Sequence, residues 1–451
     1  MENYIIKGNP TKKFFIEMIT RDISIEDAII DLIDNSIDAA SYRSAENYRG
    51  KEIKLTVNEN EFIIQDNCGG FSLETAQKYA FRFGRPDKAP VQESTIGRFG
   101  IGMKRALFKI GKHFSVESQR DQDHFIVDVN VDEWSRKTIK VATEDNITED
   151  NEDWSFQYVI IDEKQVTDGT IIKVQLLTDD VKTLFSDKVF INTLFDTIRK
   201  MLYYYIDLGL TISLNGKTME GTSMKMFISS DIYTPYVVKG IKNGVNYTII
   251  EGLGEVGDPS KSGWYIFCNN RLVLEADRSS LTQWGVNAMP KWHVDHVMFR
   301  GIIFLDSKET IKLPLTTTKK GIDASSELYQ FLIQYMREGM TQIFRFLKRI
   351  PEMGENANEY RKDLAAKCKS VSAVELKRLS FEHINEKHFR SPVLDIDTLD
   401  LKEKMVRIAF DVPKELADKI KEYAQVKTYK DLGKLLFDYY QKMEGLNDEE
   451  W

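Results

Sequence analysis

The sequence is poor in the residues that build disulfide frameworks, metal clusters and membrane spans. Its 451 residues include 3 cysteines, 6 histidines and 10 prolines. Cys68, Cys268 and Cys368 stand too far apart for a disulfide framework or a zinc site. The sequence has no uninterrupted apolar run of about 18 residues, which a transmembrane helix needs, and its first residues lack the apolar stretch of a secretory signal. We therefore expect a cytoplasmic protein that makes no membrane contact.

Length and charge limit the fold and the partners further. A chain of 451 residues exceeds one ordinary hydrophobic core, so two or three domains are expected. The hydrophobic share of 42% and the charged share of 29% are typical of a globular protein. The formal net charge of −8 at pH 7 disfavours a protein coated with nucleic acid, although it is compatible with a local basic patch.

Residues 31–40, DLIDNSIDAA, combine a helical apolar stripe with an unusual polar face. At about 100° per residue, Asp31, Asn35 and Asp38 lie within about 60° of one another, and Ile33 points to the opposite side. A solvated helix face usually includes pairs of Lys and Glu, whereas this face has only short side chains that carry oxygen. Two interpretations stay open. The face is either solvated, or it binds a divalent cation through the Asn35 carbonyl while a nearby carboxylate handles a water molecule.

Three glycine-bearing segments follow this helix. In residues 62–70, FIIQDNCGG, a short strand delivers Asp66 into a double-glycine turn that allows close approach to a ligand, although a plain hairpin turn fits equally well. In residues 95–104, TIGRFGIGMK, glycines lead into a predicted helix over 103–110, which is typical of a phosphate cradle or of a flexible loop. Residues 166–174, VTDGTIIKV, predict an ordinary entry into a strand.

The order and spacing of these segments resemble the motif series of the GHKL ATPases, the superfamily of gyrase, the heat-shock chaperone, histidine kinases, MutL and MORC proteins. The resemblance is nearest to MORC and MutL. It implies an α+β fold, in which a GHKL (Bergerat) α/β sandwich precedes a transducer-like α+β domain and a helical C-terminal region. The implied domains are 1–180 (GHKL ATP-binding), 181–345 (transducer-like), 346–400 (helical or linker) and 401–451 (a dimerisation module similar to ribbon–helix–helix proteins).

The resemblance also implies a role for each matching residue, with ATP and Mg²⁺ as the bound species. Asp31 stands at the position of the general base, and Asn35 stands at that of the Mg²⁺ ligand. Asp38 is a polar contact on the same helix, and Asp66 accepts a hydrogen bond from the adenine amine. The remaining nucleotide-binding positions are Gly70 in the turn after Asp66, Gly97, Gly100, Gly102 and Lys104 in the ATP lid, and Thr170 beside Asp66.

Two positions depart from the family pattern. The base is usually Glu, and Asp31 is shorter by one methylene group, or ~1.5 Å of reach. A displacement of that size can lower a rate on the order of 100-fold. Cys68 stands where the family often has Gly. We therefore expect firm ATP binding and slow hydrolysis.

The middle of the chain resembles the transducer domain of MutL and MORC. Residues 185–207 predict a helix with an apolar stripe. Residues 263–276 alternate like a strand that ends in Asn269-Asn270-Arg271, and residues 297–306 predict another strand. In those families a lysine on a loop of this domain reaches the γ-phosphate. Lys319 and Lys320 both match that role, with Lys319 as the first choice, and a solvated lysine pair is the alternative.

The C-terminal residues 405–442 resemble a ribbon–helix–helix module. An alternating strand precedes Pro413, which suits the first turn of a helix, and Thr428 with Asp431 resembles a capping box that opens a second helix. One strand and two short helices bury too little to fold alone, so we expect two chains to pair. An acid at Asp411, on the outward side of the strand, favours dimerisation over base reading.

Taken together, these features indicate a slow Mg²⁺- and ATP-dependent clamp of the MORC type. ATP binding would close a homodimer on DNA or on a protein partner, with antiviral defence in bacteria as one setting. The alternative is a non-hydrolysing, nucleotide-dependent scaffold for a partner effector, which the shortened Asp31 keeps open. A histidine kinase is disfavoured because no phospho-acceptor histidine helix precedes the nucleotide domain. A nuclease or topoisomerase is disfavoured because no acidic metal site is evident after residue 345.

Overall fold

The described residues of the chain are divided into two compact units, Met1–Leu394 and Asp395–Trp451. No helix within these residues combines the length and the apolar character that crossing a membrane requires. The computed structural model describes residues 10–44, 47–84, 101–142, 148–164, 166–221, 224–255, 258–316, 321–381, 387–393, 408 and 410–443.

Helices and strands alternate in an α+β arrangement, which confirms the predicted fold class. A single π-helical turn, Ala76–Ala80, continues the third helix. The helices are α1 (Lys12–Arg21), α2 (Ile25–Ser44), α3 (Leu73–Thr75), α4 (Gly102–Ile110), α5 (Val131–Arg136), α6 (Asp179–Ser186), α7 (Lys188–Asp207), α8 (Glu327–Leu347), α9 (Ala357–Lys367), α10 (Ala373–Arg378), α11 (Lys414–Tyr423) and α12 (Tyr429–Met443). The strands are β1 (Glu52–Val57), β2 (Phe62–Asp66), β3 (Gly111–Arg120), β4 (Asp123–Asn130), β5 (Thr138–Ala142), β6 (Thr148–Glu152), β7 (Val159–Ile160), β8 (Gly169–Leu177), β9 (Thr211–Leu214), β10 (Lys217–Thr218), β11 (Lys225–Ile228), β12 (Tyr236–Lys242), β13 (Val245–Leu253), β14 (Gly263–Cys268), β15 (Arg271–Asp277), β16 (Phe299–Asp306) and β17 (Lys369–Ser372).

The first sheet brings two of the glycine-bearing segments side by side. Its strands, as far as the structure describes them, run in the order β10-β9-β1-β2-β8-β3-β4-β7. They are antiparallel except for β1 with β9. Asp66 at the end of β2 lies opposite Thr170 near the start of β8. Strands β9 and β10 follow α7 in the chain, so this sheet continues beyond residue 180, where the sequence predicts a domain boundary. The boundary itself remains a prediction.

Helix α2 is fixed in rotation by its apolar stripe. Ile29, Ile33 and Ile37 recur every fourth residue and are each 0% exposed, and burial of such a side chain contributes roughly 1.5–3 kcal/mol. The helix begins after Ser24, whose hydroxyl accepts the Asp27 amide at 3.1 Å and donates to the Asp27 carboxylate at 2.7 Å. The packed stripe and the capped start together set the direction of every polar side chain between the isoleucines.

A second sheet carries the middle of the chain. Its described strands run in the order β12-β13-β16-β14-β15. One face contributes to a core that includes side chains of α7, such as Tyr203 and Tyr204. The other face packs in a second core with α8, whose Leu332 and Met336 are fully buried. This sheet therefore lies between two helices.

Two predicted elements of this region are followed or divided by breaks that the sequence analysis did not identify. The strand predicted to end in Asn269-Asn270-Arg271 is β14, which ends at Cys268. Asn269 and Asn270, with φ values of 46° and 67°, then turn the chain into β15. A two-residue type I′ turn needs positive φ at both positions, which Asn tolerates well. Residues 185–207 are divided between α6 and α7 at Asp187, whose carboxylate accepts the Val189 amide at 2.8 Å and so starts the second helix.

The region 346–400, predicted as helical or linker, contributes to the first unit in its described part. Strand β17 pairs antiparallel with β11. Phe389 is buried in the second core, and Arg390 exchanges backbone hydrogen bonds with Thr234. This region contains few apolar residues, yet it packs on the first unit because its backbone pairs with β11 and with Thr234.

The described part of the second unit consists mainly of α11 and α12. The Thr428 hydroxyl accepts the Asp431 amide at 3.1 Å and donates to the Asp431 carboxylate at 2.7 Å, which starts α12. Among the described residues of this unit, the buried apolar side chains are Ala417 and Leu432. Such a small core is well short of what an independent fold needs.

Glu251 on β13 is an acid enclosed within the second sheet region. Its side chain is 0% exposed, and neither carboxyl oxygen has a hydrogen-bond partner among the described residues. Helix α8 passes so closely that a Cβ on Gly339 would lie 2.3 Å from Glu251 Oε1. Burial, and secondarily the charge of Glu338, raises the pKa of Glu251 well above its usual value. The folded chain therefore favours the protonated carboxyl group.

We expect Glu251→Gln to change the pH dependence of stability. Because the folded pKa exceeds the unfolded one, this carboxyl stabilises the fold fully below about pH 4.5 and loses that contribution as pH rises toward the folded pKa. The free energy of unfolding of Glu251→Gln relative to wild type should therefore rise by about 1.4 kcal/mol per pH unit above that point. Denaturant unfolding from pH 5 to 8 measures it, with Glu59→Gln as the exposed control. A difference that is constant with pH would contradict the assignment.

Candidate nucleotide-binding site

The polar side of α2 meets the first residue of α4. Asp31 is 7% exposed, Asp38 is half-buried and Asn35 is exposed. Gly102 lies against Asp31, because a Cβ built on this glycine would stand 3.4 Å from Asp31 Oδ2. The structure thus brings together Asp31 and the end of the glycine-rich segment, which the sequence places in separate motifs.

Arg105 is a contact of Asp31 that the sequence did not reveal. Its Nη2 donates to Asp31 Oδ2 at 2.6 Å, and the two side chains are 24% and 9% exposed. A charge-assisted hydrogen bond of this kind fixes the direction of the carboxylate. The sequence feature that could have identified Arg105 is its position directly after Lys104, which places its side chain about 100° further around the same helix.

Asp66 is a buried carboxylate held from three sides. Ser36 Oγ donates to its Oδ2 at 2.7 Å, and the Cys68 amide donates to its Oδ1 at 2.8 Å. Burial raises the pKa of Asp66, and the hydrogen bonds from Ser36, Cys68 and Thr170 oppose that rise. Each carboxylate oxygen has two lone pairs, so acceptor capacity remains for an amine donor such as that of adenine. The Cys68 side chain itself is packed in the first core.

Gly70 and Gly169 allow three backbone segments to cross beside Asp66. Gly70 has φ +55°, and a Cβ there would lie 2.2 Å from the Gln119 carbonyl oxygen and 2.8 Å from that of Gly169. A Cβ on Gly169 would lie 2.0 Å from the Asp66 carbonyl oxygen. No side chain fits at either position without moving backbone. The double-glycine turn is therefore a site of close backbone packing.

Lys104 points into the domain. Its side chain is 1% exposed, and Nζ donates to the Ala80 carbonyl at 2.7 Å and lies 5.8 Å from the centre of the Phe83 ring. Burial lowers the pKa of Lys104 to about 7. The ammonium group is thus engaged with the π-helical turn after α3. Its contact with phosphates, implied by the resemblance, remains a prediction.

Helix α2 also carries an acid that the sequence analysis did not single out. Asp34 forms an ion pair with Arg271, the first residue of β15, and the two side chains are 1% and 4% exposed. Arg271 further lines a small pocket with Asp31 and Arg105. The partners are 237 positions apart. Asp34 stood within the same polar decapeptide, but its partner could not be identified from one sequence.

Four of the predicted site residues lie outside the described part of the chain. Gly97 and Gly100 belong to the predicted lid, and Lys319 and Lys320 to the loop that was expected to reach the γ-phosphate. Their roles remain predictions.

The donor set is compatible with Mg²⁺ held jointly by protein and nucleotide. Within the described ranges, no group of three or more His, Cys, Asp or Glu side chains could hold a metal ion by itself. Mg²⁺ in phosphate sites usually takes one or two protein oxygens and completes its shell with phosphates and water. The exposed Asn35 amide supplies one such oxygen without adding charge.

Comparison with known proteins identifies the class of this domain. Residues 23–161 match the family model described as histidine kinase-, DNA gyrase B- and HSP90-like ATPase. No curated protein matches the sequence. The matched range includes α2, the Asp66–Gly70 turn and the start of α4, and it ends before Thr170. The chain therefore contains an ATP-binding domain of the GHKL type, whereas the likeness to MORC and MutL remains a prediction.

Gly70→Ala is expected to destabilise the chain and to abolish ATP binding, because its Cβ would collide with two carbonyl oxygens. Gly216→Ala is the matched control, since Gly216 also has positive φ, +79°, but has open space around it. Both variants incur roughly 1–2 kcal/mol for the left-handed backbone. We expect an additional loss of about 1–3 kcal/mol for Gly70→Ala, measured by denaturant unfolding and equilibrium ATP binding. Equal losses in the two variants would refute the close packing.

Proposed function

We propose that this protein is a slow Mg²⁺-dependent ATPase whose nucleotide state closes a homodimer on DNA or on a partner protein. The observation that carries the proposal is the juxtaposition of Asp31 with the start of α4, within the range that matches the ATPase family. An acid beside a glycine-led helix start suits a triphosphate, because the helix N-terminus favours an anion and the acid can take a proton from water.

The proposed roles follow from the position of each side chain. Asp66 would accept a hydrogen bond from the adenine amine. Asn35 would bind Mg²⁺, which when present neutralises charge on the phosphates. Asp31 would act as the general base. Its hydrogen bond from Arg105 occupies Oδ2 and fixes the direction of the carboxylate, and its short side chain limits its reach. Both properties support slow turnover.

Homodimer formation is supported by the composition of the second unit. Ile408, Phe410 and Val412 alternate along the chain, are 65%, 70% and 51% exposed, and belong to no strand in the described part of this unit. Two such segments paired across two chains would bury these side chains against each other. Asp411 between them opposes contact with phosphates, so we infer pairing rather than base reading. Other exposed apolar side chains of the unit are Leu416, Tyr423, Tyr429, Leu435, Leu436, Phe437, Tyr439, Tyr440 and Met443.

The second candidate function is a nucleotide-dependent scaffold that binds ATP without hydrolysing it. The engaged Asp31 carboxylate favours this candidate, because the hydrogen bond from Arg105 fixes Oδ2 toward this cation rather than toward a water molecule. A partner protein would then perform the chemistry. A cytoplasmic setting in bacterial antiviral defence stays part of the proposal for both candidates.

Substitutions on α2 are expected to separate binding from hydrolysis. Asn35→Ala should abolish Mg²⁺-dependent ATP binding, whereas Asp31→Asn should keep binding and lose at least about 100-fold in phosphate release. Asp31→Glu should accelerate release, because it restores the reach of the family's base. ATP affinity and phosphate release, with and without DNA, measure these effects, with Asn246→Ala as an exposed control.

Rapid turnover that is unaffected by Asp31→Asn would rule out this base. ATP binding with no phosphate release in either condition would favour the scaffold.

The paired substitutions Ile408→Lys and Phe410→Lys are expected to convert the dimer into monomer. Each apolar side chain buried in the dimer contributes roughly 1.5–3 kcal/mol, so the dissociation constant should rise at least about 100-fold. Sedimentation at micromolar concentration measures the mass, and circular dichroism checks that α11 and α12 persist. Ile241→Lys is the control, because Ile241 is an exposed apolar residue of the first unit. A variant that keeps the dimer mass would exclude this interface.

A further inference from the structure

We propose that Arg271 is a positioning residue for the nucleotide-binding helix, and that the Arg271–Asp34 ion pair couples the second sheet to the ATP site. The inference rests on the proposed ATPase function, since it concerns the same site. It differs from that function in assigning a task to a residue of the second sheet, outside the range that matches the ATPase family.

On the helix side, Asp34 lies between the two residues on which the chemistry depends. It directly precedes Asn35 and follows Asp31 by one turn of α2, about 60° apart around the axis. The Arg271 contact therefore acts on the turn that carries both the metal ligand and the base. A small shift or rotation of this turn would move both groups together, and a displacement near 1 Å can lower turnover on the order of 100-fold.

On the sheet side, the turn before Arg271 is held rigidly by the end of β16. The Asn269 amide donates to the Leu305 carbonyl at 2.9 Å. The Asn269 side chain donates to the Ser307 carbonyl at 3.1 Å and accepts the Ser307 amide at 2.9 Å. These bonds attach one residue of the type I′ turn to the neighbouring strand at three points. Arg271 thus leaves the turn in a fixed direction.

Two further elements hold the same turn. The Tyr205 hydroxyl on α7 donates to the Asn269 carbonyl at 2.7 Å. The Lys377 ammonium on α10 donates to Asn270 Oδ1 at 2.5 Å and to Asp306 Oδ1 at 2.7 Å. The guanidinium group is therefore presented to α2 by a turn that is anchored in α7, α10 and β16. A movement of these elements would reach α2 through the ion pair.

Stability alone does not account for the ion pair. Removing two charges from water is costly, and an apolar pair of similar volume is often as stable or more so. What the charged pair adds is a directional contact between a planar guanidinium group and a carboxylate. Arg271 also lines the pocket beside Asp31, so the contact lies close to the proposed base.

The test compares Arg271→Met with the apolar pair Arg271→Met/Asp34→Leu. We expect the single variant to lose at least about 10-fold in turnover, since it leaves Asp34 buried without this partner. The apolar pair should recover wild-type thermal stability without recovering turnover, and Arg271→Lys should recover part of both. Arg278→Met, an exposed arginine next to the same hairpin, is the matched control. Thermal unfolding, ATP affinity and phosphate release are measured on the full chain.

Hydrogen exchange supplies a readout that a purely structural contact would not change. In wild type, adding Mg²⁺ and ATP should alter protection in residues 263–277, and Arg271→Met/Asp34→Leu should lose this response while still binding ATP. Wild-type turnover and an intact exchange response in the apolar pair would overturn the inference while leaving the ATPase standing. If wild type does not bind ATP, the proposed function and this inference fail together.

Discussion

The rotation of helix α2 is the constraint on which the rest of this molecule depends. Three isoleucines at four-residue spacing are buried against the first sheet, and the capped start at Ser24 prevents the helix from slipping. Every polar group of the proposed site on this helix is placed between those isoleucines. Asp31 is thereby aimed at the start of α4, Ser36 at Asp66, and Asp34 at the second sheet. Hydrophobic packing thus sets the geometry of charged groups.

Local periodicity made much of the first sheet region predictable. The strand FIIQD coincides with β2, and the helix predicted from Met103 begins one residue earlier, because both signals lie within a few residues of sequence. The strand predicted to end in Asn269-Asn270-Arg271 corresponds to β14, whereas β15 was not recognised as a second strand because the alternation resumes directly after the two asparagines. Only the positive φ values show that the chain reverses there.

The contacts among the proposed site residues were harder to infer than the residues themselves. Asp31, Asn35 and Asp66 could be predicted as site residues from the sequence, because they stand in recognisable motifs. The sequence could not supply Arg271, since an ion pair across 237 positions depends on how two sheets and the helices between them pack. Nor could the sequence predict that Lys104 and Arg105 have different contacts. The two residues are adjacent on α4 and about 100° apart around its axis, so Lys104 reaches the Ala80 carbonyl and Arg105 reaches Asp31.

The burial of Lys104 makes the charge at the start of α4 depend on pH. With a pKa of about 7, this side chain is divided between an ammonium and a neutral amine in solutions near neutrality. Ordinary lysines stay charged over that whole range. The charge beside the Ala80 carbonyl is therefore lost at a lower pH than that of an ordinary lysine. The charge beside this glycine-led helix is set by the acidity of the medium as well as by the sequence.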